Sequence, residues 1–415
     1  MKALACILLF LSVPLALCQV WPQPDEWPML AGDAPGSSYT RVPPIGITGQ
    51  VWRTNLSSIR TEMITWRQAV AAHGRLYLKS KDTVAALDAT GGQILWSRPL
   101  AANEIAAAGK GVLLALSGFG LIALDGRTGE RLWDVTVPEA TPAPRLIAGY
   151  DFALVVGGGD AGHVARFFDT KDGEALAWDS ALRIRVTGQW SLFNHPSAIP
   201  ASASSVVCFG NREPQVVFLP TGSSKQPGAL ACSKNLVIAG WADTSATMVP
   251  MGEELATQAW SVEEDFSLVS RWVKTGKAPT EWGRADKLCI ASPSFAVGYS
   301  ADTGQMFAFN PTTGAEHWKI KKGWQLLAMV AGGQRVYAAF QIPSKTGGGP
   351  VGTQLQVLDL ATGETLLRHD LPALSVNTLV PAYRKLYVLG HHNPAALKAD
   401  VPPAAIPVAV CLGNP

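Results

Sequence analysis

Apolar and polar positions along this chain fall into a recurring phrase. In LIALDGRTGERLW (121–133) a short apolar run meets a polar turn. An alternating stretch follows, with Trp133, Val135 and Val137 on one face. VAALDATGGQILW (84–96), MFAFNPTTGAEHW (306–318) and LQVLDLATGETLL (355–367) align with it without gaps. ARFFDTKDGEALAW (165–178) aligns with one extra residue before its Trp. Each copy predicts a doubly buried strand, a tight turn and a second strand. The Asp125 carboxylate can accept from N–H groups two or three residues on, and Gly129 supplies a positive φ. Self-similarity of this kind predicts a repeat fold.

Trp96, Trp133 and Trp318 keep one offset from their glycines. An indole buries a large area and wants a partner for its N–H, so one per unit reads as a spacer between neighbouring units. Trp178 comes one residue late and needs a bulge to keep its face.

The anchor glycines are 92, 129, 173, 314 and 363. The wide gap between Gly173 and Gly314 holds two degenerate units. One runs through 204–210 and 215–222, the other through 235–240 and 245–250 to Trp260. An eighth unit, at 386–390 and 408–412, lacks a last strand, while VWRTNL (51–56) is a strand without a unit. Pairing the two closes a ring, puts Trp52 in the spacer role and removes exposed edges. The expectation is an all-β, eight-bladed β-propeller of four-stranded antiparallel blades. Seven blades is the alternative, because the fifth unit is poorly marked.

Around this body, residues 1–18 read as a signal peptide, with Lys2 ahead of the apolar ACILLFLSVPLAL. Residues 19–50 form a Pro-containing extension, and 51–415 a single propeller domain. Residues 262–285 depart from the repeat and are expected to be a rim insertion, with Phe266, Val269 and Val273 at helix-like spacing. Residues 343–354 read as a hairpin tip. The expected compartment is periplasmic or secreted.

Charge and chemistry add less. Lys and Arg number 34 against 32 Asp and Glu, which gives no nucleic-acid footprint. No stretch beyond the leader is long and apolar enough to span a bilayer. Cys208, Cys232, Cys289 and Cys411 each sit in an apolar run and are read as free and buried. His391-His392 lacks further ligands at metal spacing and reads as a solvated loop. Gly157-Gly158-Gly159-Asp160 reads as an interstrand turn. There is no phosphate loop and no nucleophile elbow. Arg271, Trp272, Lys274 and Trp282, lying in the departing segment, are the candidate partner-binding residues, since Arg and Trp are enriched in binding hot spots.

Ala123, Asp125, Thr128, Gly129 and Trp133 match in full the motif Ala-x-Asp-x-x-Thr-Gly-x-x-x-Trp. In this the chain resembles the pyrrolo-quinoline quinone (PQQ)-like repeat family of eight-bladed propellers. The copies depart from the motif at Gly91, Asn310 and Leu367, which stand for Thr, Asp and Trp. Trp27 to Asp33 is similar to the phrase that opens many members. The family includes PQQ-dependent dehydrogenases and also cofactor-free propellers, such as the lipoprotein subunit of the β-barrel assembly machinery. The dehydrogenases are longer, typically carry adjacent cysteines, and hold the quinone beside a Ca²⁺ with oxygen ligands and a carboxylate base. This chain has no adjacent cysteines and no compact carboxylate cluster.

The resemblance therefore implies a non-enzymatic, monomeric scaffold that carries no cofactor and binds a protein of the cell envelope. The alternatives are a PQQ- and Ca²⁺-dependent oxidoreductase and a carbohydrate- or ligand-binding surface module. Leu15-Ala16-Leu17-Cys18 resembles a lipoprotein box, which makes Cys18 a candidate lipid anchor, although Leu17 departs from the small residue such boxes carry.

Overall fold

The computed structural model of the chain describes residues 25–27, 39, 40, 42–44, 47, 49–59, 68–137, 145–159, 162–190, 197–200, 205–210, 213–220, 225–233, 235–243, 255–276, 285, 287–301, 303–343, 351–392 and 406–414. The leader at 1–18, Cys18, the opening phrase after Trp27, Asp160, the stretch 245–250 and Trp282 lie outside them.

Eight antiparallel sheets form a ring. Blades 1 to 7 span 68–99, 104–136, 145–176, 197–218, 225–276, 287–321 and 326–372. Blade 8 combines 374–413 with Gly49–Asn55. In blades 1 to 7 the strands follow sequence order from the axis to the outer wall, and blade 4 shows three of them among the described residues. An α-helix, Ser180–Trp190, leads into blade 4. The ring closes as the orphan strand implied. Gly49–Asn55 pairs antiparallel with Ile406–Gly413, in a register that sets Trp52 opposite Cys411 and Arg53 opposite Val410.

The first and third turns of a blade lie together. Ala89 N–H donates to Gly74 O (3.1 Å), Gly126 N–H to Gly111 O (2.7 Å) and Leu360 N–H to Gln334 O (2.9 Å). Both tight turns of these blades thus occupy one face of the ring, the turn face. Connections between blades occupy the other.

The repeated indole locks each of these blades to the next. Trp96 donates from Nε1 to Gly126 O at 3.0 Å, and its ring covers Gly129. Gly129 has φ +72°, and a Cβ there would come within 2.7 Å of the indole. Only glycine meets both demands. Trp52, Trp133 and Trp318 repeat the contact on Gly92, Gly173 and Gly363, donating to Ala89 O, Thr170 O and Leu360 O. Trp178 packs between Phe167 and Phe209, with ring centroids 5.3 and 6.1 Å away, and so joins blade 3 to blade 4.

The motif's alanine also finds its reason. In their own blades Trp96, Trp133 and Trp318 sit opposite Ala86, Ala123 and Ala308, small residues on the third strand. Beside each pair the outer strand carries an extra residue, so a bulge keeps the indole in the seam. The extra residues are Leu95 in blade 1, Leu132 in blade 2, His317 in blade 6, Leu366 in blade 7 and Val51 in blade 8.

Residues 268–276, within the stretch 262–285, are not an insertion. Leu268–Gly276 is the outer strand of blade 5, paired along its length with Leu255–Val262. Trp272 faces Ala259, with Arg271 as the bulged residue. Its Nε1 donates to Pro311 O at 2.9 Å and its ring covers Gly314. Trp272 is thus the blade 5 spacer, in the blade whose unit was read as ending near Trp260. The helix-like spacing is an accident: Val269 and Val273 are exposed on the strand, while Phe266 is buried in the turn before it. His391-His392 is likewise the end of a strand, Lys385–His392, rather than a loop. Gly157–Gly159 continue the strand Phe152–Gly159, and Gly352 begins the strand Gly352–Asp359.

Candidate functional site

Two regions carry chemistry beyond the scaffold: the axial channel and the outer wall. The N-terminal extension enters the channel from the turn face. Trp27 exchanges two backbone hydrogen bonds of 2.7 Å with Ala71 on the inner strand of blade 1. Tyr383 N–H donates to Asp25 O at 2.7 Å, and His73 N–H to Glu26 Oε1 at 2.8 Å. Tyr39–Thr40 runs parallel to the inner strand of blade 7, opposite Ala331 and Gly332. Tyr337 donates from its hydroxyl to Pro44 O at 3.1 Å. The extension therefore bridges blades 1, 7 and 8 before its chain becomes the outer strand of blade 8.

His73 sits at this junction, with Nδ1 3.4 Å from the Tyr77 hydroxyl. Burial lowers its imidazole to about 4, against the opposing pull of the Ala108 backbone and with a further lowering from Arg75. Elsewhere along the channel wall, polar side chains tie inner strands together. Gln68 makes two 2.8 Å bonds to the backbone of Ile105, and Leu146 N–H donates to Glu104 at 2.9 Å. Glu104 also pairs with Arg145 at 3.3 Å. Burial raises the Glu104 carboxyl, opposed by Arg145, the Leu146 N–H and Lys79. These groups belong to the seams between blades.

Between blades 1, 6, 7 and 8 the channel opens into a cavity of about 240 Å³. Its walls are mostly apolar, with the Trp27 indole on one side. Gln68, Lys287, Asn377 and Thr378 are its polar members, and no carboxylate lines it among the described residues. No group of three His, Cys, Asp or Glu able to hold a metal occurs among the described residues either. Nothing in the sequence pattern announced this cavity.

The candidate partner-binding residues do not converge as expected. The Trp272 ring is committed to the seam between blades 5 and 6. Arg271 and Lys274 are exposed on the outer strand, with Arg271 3.4 Å from Glu263. Cys208, Cys232, Cys289 and Cys411 are buried and form no disulfide with one another. Burial pushes Cys208 to about 12 and Cys411 to about 11, so neither thiol is a nucleophile at neutral pH.

The bulged residues of the outer wall form a pattern that sequence reasoning missed. Leu366, Val51, Leu95 and Leu132 occupy the same register in blades 7, 8, 1 and 2, which are consecutive around the ring. Leu366, Leu95 and Leu132 are 52%, 45% and 51% exposed, and Val51 is half-buried. In blades 5 and 6 the same position holds Arg271 and His317. The signal was present as the residue just before each Trp, where the alternation alone did not give its direction.

Comparison with known proteins accords with this architecture. Residues 48–234 match the family described as outer membrane protein assembly factor BamB. BamB from Moraxella catarrhalis superposes with a TM-score of 0.52 at 16% identity, covering 88% of this chain and 99% of that one. Over residues 48–234 the chain is similar to this PQQ-like propeller family, and its fold is that of an eight-bladed propeller. The propeller is also similar to quinohemoprotein alcohol dehydrogenase from Comamonas testosteroni. There the TM-score is 0.55 at 12% identity, over 94% of this chain and 81% of that one. A computationally designed protein, Ika8, gives 0.50 at 14% identity, over 90% and 99%. At these identities the likeness is one of fold. No curated protein sequence matches. No helix among the described residues is long and apolar enough to cross a membrane.

Proposed function

We propose that this propeller is a non-enzymatic, extracytoplasmic scaffold that binds a protein of the cell envelope through its outer wall. The observation that carries the reading is the arc of bulged apolar residues on blades 7, 8, 1 and 2. The bulged leucines of blades 7, 1 and 2 are exposed, with Val51 of blade 8 packed partly against the core between them, and an exposed apolar row on a rigid wall is the kind of surface a partner covers. The match of 48–234 to the BamB description supports an envelope role. Arg271 and Lys274 on blade 5 are a second candidate surface.

The oxidoreductase reading needs an oxygen-rich Ca²⁺ site with a carboxylate base. The described channel lining of apolar walls, two amides, one hydroxyl and one ammonium does not fit that group. No catalytic step is derived through a quinone.

The test places a photo-crosslinking residue at position 95, 132 or 366 of the protein in envelope preparations, with positions 271 and 319 as comparisons. The expected result is one discrete protein adduct from the first three positions, lost when the two remaining leucines are changed to serine. Adducts from 271 alone would move the surface to blade 5. Adducts from none of them would overturn the scaffold reading. Dye reduction after loading with PQQ and Ca²⁺ would favour the oxidoreductase instead.

A further inference from the structure

The axial cavity goes beyond the scaffold reading, because it lies inside the ring and away from the outer wall. Its shape has a local cause. The inner strand of blade 7 shifts register between Leu326 and Ala328, and that of blade 8 between Val376 and Thr378. The extra residues are Leu327 and Asn377, and both line the cavity. The inner strands of blades 1 to 4 pair without such a shift. Bulges re-aim side chains and gather beside binding sites. Here two neighbouring bulges line the cavity, and Gln68 of blade 1 completes its wall.

The lining selects a ligand class. Trp27, Leu288, Leu327, Met329, Val330 and Leu379 offer an apolar wall. The polar groups are mostly donors or already committed. Both ends of the Gln68 amide bond to Ile105, and Asn377 Nδ2 lies 3.2 Å from His391 Nδ1. The Thr378 hydroxyl and the Lys287 ammonium remain to meet a guest. Lys287, itself exposed, is the one charged residue among the described residues of the lining, and no described carboxylate lines the cavity beside it. A single negative charge is therefore matched, whereas a second would be desolvated without a partner. A cation would find no counter-charge among the described residues of the lining. A cavity of ~150 Å³ holds a benzene ring, so 240 Å³ has room for such a ring, a short chain and a carboxylate.

We propose that this cavity binds an apolar monocarboxylate, with its hydrocarbon body against Trp27 and Met329 and its carboxylate at Lys287. Two sources present that chemistry: a free arylalkanoic acid, or the C-terminus of a peptide ending in a large apolar residue.

The test is calorimetric titration of the full protein with 3-phenylpropanoate, its amide, acetyl-Gly-Gly-Phe and acetyl-Gly-Gly-Phe amide. At least one acid should bind with a Kd below about 1 mM, and its amide about tenfold more weakly or worse. Binding of 3-phenylpropanoate alone assigns the site to free acids. Binding of the peptide acid assigns it to chain termini. Lys287→Gln should weaken the acid about tenfold and leave the amide unchanged. Ala328→Trp, which fills the space, should abolish binding. If that variant melts early, Lys287→Gln alone decides. Failure of both acids to saturate, or equal affinity for acid and amide, overturns the proposal. Neither result bears on the crosslinks expected from the outer wall.

Discussion

The ring of Phe266 lies against Gly210, so close that a Cβ on that glycine would meet Phe266 Cε1 at 2.8 Å. Gly210 follows the strand Ser205–Phe209 of blade 4, and Phe266 sits in the last turn of blade 5 at φ +67°. In most other seams a Trp reaches forward onto the next blade's turn. Here the turn reaches back and inserts its own ring among Cys208, Leu219 and Val206. A non-glycine residue with positive φ carries strain, and burial of the ring offsets it.

Phe266→Ala should destabilise the protein by roughly 3–5 kcal/mol, the usual loss when a large aromatic site is emptied. Gly210→Ala should also destabilise. Combined with Phe266→Ala, it should cost much less than the two single losses added together, because the added methyl then has space. Denaturant unfolding of the three variants checks this, and additive losses would mean that the two residues do not touch.

Trp272→Ala should cost about as much as Trp133→Ala, roughly 3–5 kcal/mol, since both indoles fill a seam and donate to a backbone carbonyl. Trp272→Phe should recover most of the packing and forfeit about 1 kcal/mol for the lost hydrogen bond. A change of less than ~0.5 kcal/mol in Trp272→Ala would return this residue to the surface.

Removing residues 19–57 should leave the strand Ile406–Gly413 without its outer partner. The expected outcome is aggregation or loss of cooperative unfolding. A shortened protein that stays monomeric with an unchanged melting midpoint would exclude closure by this pair.

His73 predicts a pH dependence. Burial lowers its pKa from 6.5 to about 4, so the unfolded chain takes up the proton first as pH falls. Stability should be intact above pH 6.5 and decline between 6.5 and about 4, where the folded form also protonates. His73→Gln should flatten this part of the melting-versus-pH curve. A slope in that window identical to that of the unaltered protein would assign the effect to other groups.

The sequence displays the repeat wherever a blade uses the full Asp-x-x-Thr-Gly turn, because turn and indole are local signals. Blade 5 hid because Phe266 replaces the glycine and its turn lacks the motif. Its outer strand then read as an insertion. Leu367 shows a related logic. It stands where a Trp is expected, but the blade it faces has no third turn, because Gly413 and Gly49 are paired without being joined. An indole there would have no loop to donate to. The cavity was illegible for another reason. It arises from two register shifts in strands distant in sequence, and nothing in the residues around Leu327 or Asn377 marks a bulge.

The pairing of Gly49–Asn55 with Ile406–Gly413 also sets an order in time. During synthesis the strand that finishes the ring emerges among the first and finds no partner until the last blade has been made. Blades 1 to 7 can form as they appear, yet each intermediate is an open arc with an unsatisfied edge at its growing end. Closure is thus a report that the whole series of blades is present, and a chain arrested before residue 406 can never give it.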